Sequence, residues 1–154
     1  MNKKTILLVE DNPDDEALTL RALRQQEIVS EIVVVRDGSE AIDYLFATGT
    51  HDGRDAKQLP HLVLLDLKLP KVDGIGVLRR IRSSEITRLL PVVILTSSNE
   101  QIDLVKSYMS GANSYVRKPV NFEEFIEVTR QLGLYWLNVN QAAMHYYAPN
   151  RREN

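Results

Sequence analysis

The feature that most constrains this chain is the order of its short apolar runs. Residues 5–9, 32–35, 62–65 and 92–95 are apolar nearly throughout, and 114–116 forms a weaker fifth run. Strands covered on both faces read this way, whereas a strand with one wet face alternates. Between the runs lie segments long enough for helices, so the pattern is strand–helix repeated five times. Such alternation predicts a parallel sheet with right-handed crossovers and helices on both faces.

The helical segments carry their own signals. Asn12-Pro13-Asp14-Asp15-Glu16 offers a cap, a first-turn proline and early negative charge, followed by Ala17, Leu20 and Leu23 as an inward stripe. Ala41, Ile42, Leu45 and Phe46 mark a second helix. Val77, Leu78 and Ile81 mark a third, with Arg79, Arg80 and Arg82 read as its solvated face. A fourth begins near Asn99, turns Ile102, Val105 and Met109 inward, and stops at Gly111. The fifth starts at Asn121, with Glu124 three residues on as in a capping box. It shows Phe122, Phe125, Ile126, Thr129, Leu132 and Trp136, and runs on through Leu134-Tyr135-Trp136-Leu137. Residues 49–60 read as a polar surface loop, 138–154 as an extension with a frayed end.

With 154 residues, 44% hydrophobic and 26% charged, the chain suits one compact domain. A net charge of -2 supplies no overall basic field for nucleic acid or an anionic membrane. The absence of cysteine excludes disulfides, thiolate metal sites and cysteine nucleophiles. No apolar stretch approaches the ~18 residues that span a bilayer, and 6–9 is too short for an export signal. The expectation is a soluble, cytoplasmic protein.

In an open parallel sheet, function collects at the carboxyl ends of the strands. There the sequence places Glu10 and Asp11 after the first run, Asp66 after the third, Thr96 and Ser97 after the fourth, and Lys118 after the fifth. With strand order 2-1-3-4-5, three carboxylates converge on one crevice. They would raise one another's pKa values unless a cation lay among them. Oxygen-only ligands favour a hard divalent ion, Mg2+ or Mn2+. A carboxylate nucleophile, a metal and the Lys118 ammonium suit in-line phosphoryl transfer, and Thr96 adds a hydroxyl at the rim.

Ordered motifs extend this reading. They are Leu7-Leu8-Val9-Glu10-Asp11-Asn12, Asp37-Gly38-Ser39-Glu40-Ala41, Leu64-Leu65-Asp66-Leu67-Lys68-Leu69-Pro70, Asp73-Gly74, Pro91-Val92-Val93-Ile94-Leu95-Thr96-Ser97, Gly111-Ala112 and Lys118-Pro119. In this order and spacing the chain resembles the receiver domains of two-component response regulators over roughly residues 3–137. The resemblance implies a flavodoxin-like, doubly wound (βα)5 fold with an extended last helix. It implies that Asp66 is the phosphorylated aspartate and that Asp11, Asp66 and the Lys68 carbonyl hold the metal, with Glu10 acting through water. It assigns Lys118 to the phosphoryl group, expects a cis bond to Pro119, and makes Thr96 and Tyr115 a switch pair acting on the surface of the fourth helix, fifth strand and fifth helix. Glu10 stands where many members have aspartate, and Ser97 where alanine or glycine is common. Lys68 and Ser98 occupy variable positions that tune phosphoryl lifetime.

The loop at 49–60, Ser107-Tyr108-Met109 and Leu134-Tyr135-Trp136-Leu137 resemble the stand-alone regulators paired with bacterial phytochromes. That narrower resemblance implies a sensor histidine kinase as partner, no output domain, and a homodimer through the fourth and fifth helices and their extension. It implies a signalling switch with only self-directed phosphoryl chemistry. Other classes fit less well. A dehalogenase-type phosphatase needs an aspartate where Lys68 stands, and Gly74 and Gly76 form no nucleotide-binding turn. A phosphorylation-independent interaction module of the same fold is the alternative. His51, His61 and His145 share no spacing for metal or relay.

Overall fold

The computed structural model describes residues 4–27 and 29–145. Five parallel strands, β1 (Lys4–Val9), β2 (Val29–Val35), β3 (Leu62–Leu65), β4 (Val92–Thr96) and β5 (Ser114–Arg117), form one sheet in the order β2-β1-β3-β4-β5. Five helices cross over between or after them: α1 (Pro13–Arg24), α2 (Gly38–Phe46), α3 (Gly74–Ser83), α4 (Gln101–Met109) and α5 (Phe122–Leu134). This is the flavodoxin-like arrangement the motifs imply. Every residue of β3 and β4 is buried, because both strands are central and covered on both faces.

The core divides into two layers, as alternation along each strand requires. Leu7, Val9, Val63, Leu65, Val92 and Ile94 point to α2 and α3. Ile6, Leu8, Leu62, Leu64 and Val93 point to the other face, where Leu23 of α1 closes over them. The last helix continues past Leu134 as a π turn, Tyr135–Val139, which carries Leu137 to 1% exposure in this second layer. The chain then passes Asn140, and Met144 packs against the α2/α3 layer instead. Residues 146–154 of the expected extension lie outside the described residues. No helix among the described residues is long and apolar enough to cross a membrane.

Side-chain caps set four helix starts. Asn12 accepts from the Asp14 and Asp15 amides, Asp37 from Glu40, Asp73 from Gly76, and Asn121 from Glu124. The helix that stops at Gly111 does so because Gly111 takes φ +103°, a conformation side chains rarely adopt.

Several inward assignments are corrected. In α1 the buried residues are Thr19, Ala22 and Leu23, while Ala17 faces solvent. In α4 the buried position is Ser107; Ile102, Val105 and Met109 are 57, 53 and 83% exposed. Periodicity reports that a helix has an apolar face, but not whether this chain itself covers it. Phe122 is likewise exposed. Arg82 is not a solvated cation. Its guanidinium donates to the carbonyls of Gly111, Arg88 and Leu90 and to Asn113 Oδ1, tying α3 to the loops that enter β4 and β5.

Gly74 sets the position of the loop after β3. A Cβ there would lie 2.3 Å from the Asp66 carbonyl oxygen and 2.7 Å from Leu67 Cα, both backbone atoms that cannot rotate away. Gly74→Ala is expected to lower unfolding free energy by about 1–3 kcal/mol, as overpacking does. Urea denaturation checks this; an unchanged midpoint would contradict it.

Candidate phosphoryl and metal site

The ladder hydrogen bonds of the sheet continue one residue beyond three strand ends. Glu10 N donates to the Val35 carbonyl at 3.0 Å, Asp66 N to Val9 at 3.1 Å, and Lys118 N to Thr96 at 2.7 Å. The backbone that carries each reactive side chain is therefore fixed by the sheet itself, while the side chains emerge at its carboxyl edge.

They converge. Lys118 Nζ donates to Glu10 Oε1 at 2.5 Å, Asp15 Oδ2 at 2.8 Å and Asp66 Oδ2 at 2.9 Å. The side chains of Lys118, Glu10 and Asp66 are 4, 2 and 10% exposed. The other Asp66 oxygen accepts from Leu67 N at 2.7 Å, and Glu10 Oε2 accepts from Asn12 N at 3.2 Å. A carboxylate oxygen from each of Glu10, Asp11 and Asp66 lies within 4.8 Å of the others, and Asp11 faces solvent. A cavity of about 400 Å³ opens over this group, lined also by Asp15, Lys68 and Thr96.

The charges explain the titration. Burial pushes the Glu10 carboxyl up to about 7; Asp66 adds to the rise and Lys118 opposes it. Burial would lower the Lys118 ammonium, but Asp66, Asp15 and Glu10 outweigh it and hold the group above its ordinary value. One ammonium does not neutralise three nearby carboxylates and Asp11 besides. The donor set is all oxygen, with Asp11 open to solvent, so these residues fit a hard divalent cation.

Thr96 is buried at the rim, and its Oγ1 accepts from Ser98 N at 3.3 Å. Tyr115 does not line the cavity. Its hydroxyl donates to the Ser98 carbonyl at 3.3 Å, and burial pushes its phenol up. Ser98 Oγ in turn donates to Asp103 Oδ2 of α4 at 2.5 Å. Thr96, Tyr115 and α4 thus meet at one serine.

The structure brings together Glu10, Asp11, Asp66, Lys68, Thr96 and Lys118, as expected from the strand ends. It corrects one expectation: the described residues contain no cis peptide bond, and Lys118–Pro119 is trans. The trans form is intrinsically favoured by about 0.5–1 kcal/mol, and with it Lys118 already reaches all three partners. Two further residues join the site without a clear sequence signal. Asp15 reads in the sequence as first-turn charge of α1, though it stands four residues beyond Asp11, and Asp103 sits within an apolar pattern that conceals it.

Known proteins resemble the chain in sequence and fold. The family profile described as "Response regulator receiver domain" matches residues 6–130. A probable methanogenesis regulatory protein, FilR2 of Methanothrix harundinacea, is 43% identical over 137 residues, 89% of this chain and 86% of its own. Response regulator Rcp1 of Synechocystis is 35% identical over 134 residues, 87% of this chain and 89% of its own. A structure of Rcp1 in its Mn2+-bound form superposes with a TM-score of 0.84, at 34% identity over 90% of this chain and 98% of that one. The phosphorylated cyanobacterial phytochrome response regulator RcpA gives 0.85 at 36% identity, over 91% and 98%. With its ammonium-bridged acidic pocket at the end of a 2-1-3-4-5 sheet, this chain belongs to the response-regulator receiver domains of two-component signalling, among relatives that include single-domain phytochrome regulators.

Proposed function

We propose that the chain is a phosphorylation-controlled switch in which Asp66 receives a phosphoryl group from a sensor histidine kinase, in this subfamily one of phytochrome type. The observation that carries the reading is the contact of Lys118 Nζ with Asp66 Oδ2 beside two further acids. A carboxylate oxygen of Asp66 attacks the phosphorus of a phosphohistidine. A P–O bond forms as the P–N bond breaks, and the imidazole leaves and takes up a proton. Lys118 follows the negative charge from the carboxylate to the phosphoryl oxygens, and the Thr96 hydroxyl donates at the same rim. Slow attack of water on the acyl phosphate returns Asp66, so the chain acts catalytically only on itself.

Asp11, Asp66 and the Lys68 carbonyl would hold Mg2+ or Mn2+, with Glu10 acting through water. The bound ion supplies the positive charge that three carboxylates and an incoming phosphoryl group require. The receiver unit spans 3–137, which the burial of Leu137 supports, and 138–154 is an extension. The reading places the protein in the cytoplasm, where a kinase is charged from ATP, and gives it protein partners rather than DNA or membrane.

Switching runs through Ser98. When Thr96 turns toward the phosphoryl group, its bond from Ser98 N is lost, and Tyr115 and Asp103 are released from the same residue. The face of α4, β5 and α5 changes with them. That face exposes Tyr108, Val120 and Phe122 beside charges of opposite sign, Arg117 and Glu123. Exposed apolar groups beside charges of both signs support a homodimer through this face, extended by Tyr135 and Val139.

With acetyl phosphate and Mg2+, intact mass spectrometry is expected to find one phosphoryl group on the wild type. Asp66→Asn and chelator-treated wild type should show none; equal labelling of Asp66→Asn would overturn the assignment. For assembly, sedimentation at tens of micromolar should give a dimer that Tyr108→Glu with Phe122→Glu reduces to a monomer. A monomeric wild type, phosphorylated or not, would remove the homodimer from this reading.

A further inference from the structure

On α4, Asp103, Ser107 and Ser110 turn toward the protein, and Leu104 and Tyr108 lie on one flank. The opposite flank carries Ile102, Lys106 and Met109 at i, i+4, i+7 spacing, and Lys106 and Met109 of it border α3. Between the two helices runs a groove of about 480 Å³, lined by Arg79, Arg82, Ser83, Lys106, Met109 and Ser110. Three of these residues are cations and none is an acid, in a chain whose net charge is -2. Arg82 spends its donors on carbonyls and an amide oxygen. Arg79 and Lys106 are exposed and meet no carboxylate at ion-pair distance among the described residues.

We infer that this groove between α3 and α4 docks an acidic amphipathic helix of a partner protein. The rim supplies uncompensated positive charge, and Met109 supplies an apolar edge at 83% exposure, with Ile102 further along the same flank of the helix. A polyanion such as nucleic acid would use the cations but leave that edge wet. A purely apolar helix would bury Arg79 and Lys106 without partners, which costs free energy. A helix with carboxylates on one side of its apolar stripe meets both demands, and the pliable thioether of Met109 adapts to its side chains. The groove lies on the opposite flank of α4 from the face assigned to the homodimer, so one molecule can hold both contacts.

The test is a random peptide-display library panned on the full chain and counter-selected on R79E/K106E. Both positions are exposed surface cations, so the double variant is expected to fold and to accept phosphoryl from acetyl phosphate as the wild type does. Surviving peptides should be acidic, with apolar residues at helical spacing. A synthetic representative should bind about tenfold more weakly to the double variant in fluorescence anisotropy, as for loss of two partly desolvated charge contacts. Survivors that are basic or uncharged, equal binding to both proteins, competition by a duplex oligonucleotide, or no enrichment would each overturn the proposal. Failure of Asp66 labelling in wild type would instead sink the switch reading and leave the groove result standing.

Discussion

One ammonium holds the business end of this molecule together. Lys118 is almost fully buried, and burying an ion costs several kcal/mol even after relaxation. That cost is offset only because three carboxylates, from just beyond β1 and β3 and from α1, reach it at once. At about 3 Å and an effective dielectric near 20, each such attraction is on the order of 5 kcal/mol before desolvation is counted. The rest of the fold serves this convergence. Central strands fix the backbone of Glu10 and Asp66, β5 delivers Lys118, and the close approach of Gly74 presses the Asp66 loop into place.

The same cluster is unbalanced, and the imbalance gives it its chemistry. Burial and Asp66 push the Glu10 carboxyl up to about 7, and Asp11 projects into the open cavity with no share of the ammonium in the hydrogen bonds described. A site with surplus negative charge and one fixed cation fits a hard divalent ion. Ser98 then ties that site to α4, because Thr96, Tyr115 and Asp103 all bond to it. An event at the strand ends therefore has a short, hydrogen-bonded route to an exposed helix.

The strands, their buried character and the residues at their ends were legible because a two-sided parallel sheet leaves an unmistakable apolar signature, and its active edge follows from topology. Helix faces were less so. Ile102, Val105 and Met109 have the spacing of a core stripe, yet α4 turns Asp103 and Ser107 inward and secures them by hydrogen bonds. Phe122 misled in the same way. Arg82 looked like one of three surface cations, since nothing in a sequence tells which arginine will find carbonyls to cap. Asp15 required knowing that the first turn of α1 overhangs the end of β1. The trans bond at Pro119 departs from what the family resemblance led one to expect, and it does not alter the reach of Lys118.

The central claim is that this pocket directs a phosphoryl group to one carboxylate among four. Borohydride reduction of the phosphorylated protein converts an acyl phosphate to the corresponding alcohol, which tandem mass spectrometry locates by residue. The expected result is reduction at Asp66 alone. Reduction at Asp11, Asp15 or Glu10, or a phosphoryl group held by a side chain that borohydride leaves untouched, would contradict the account.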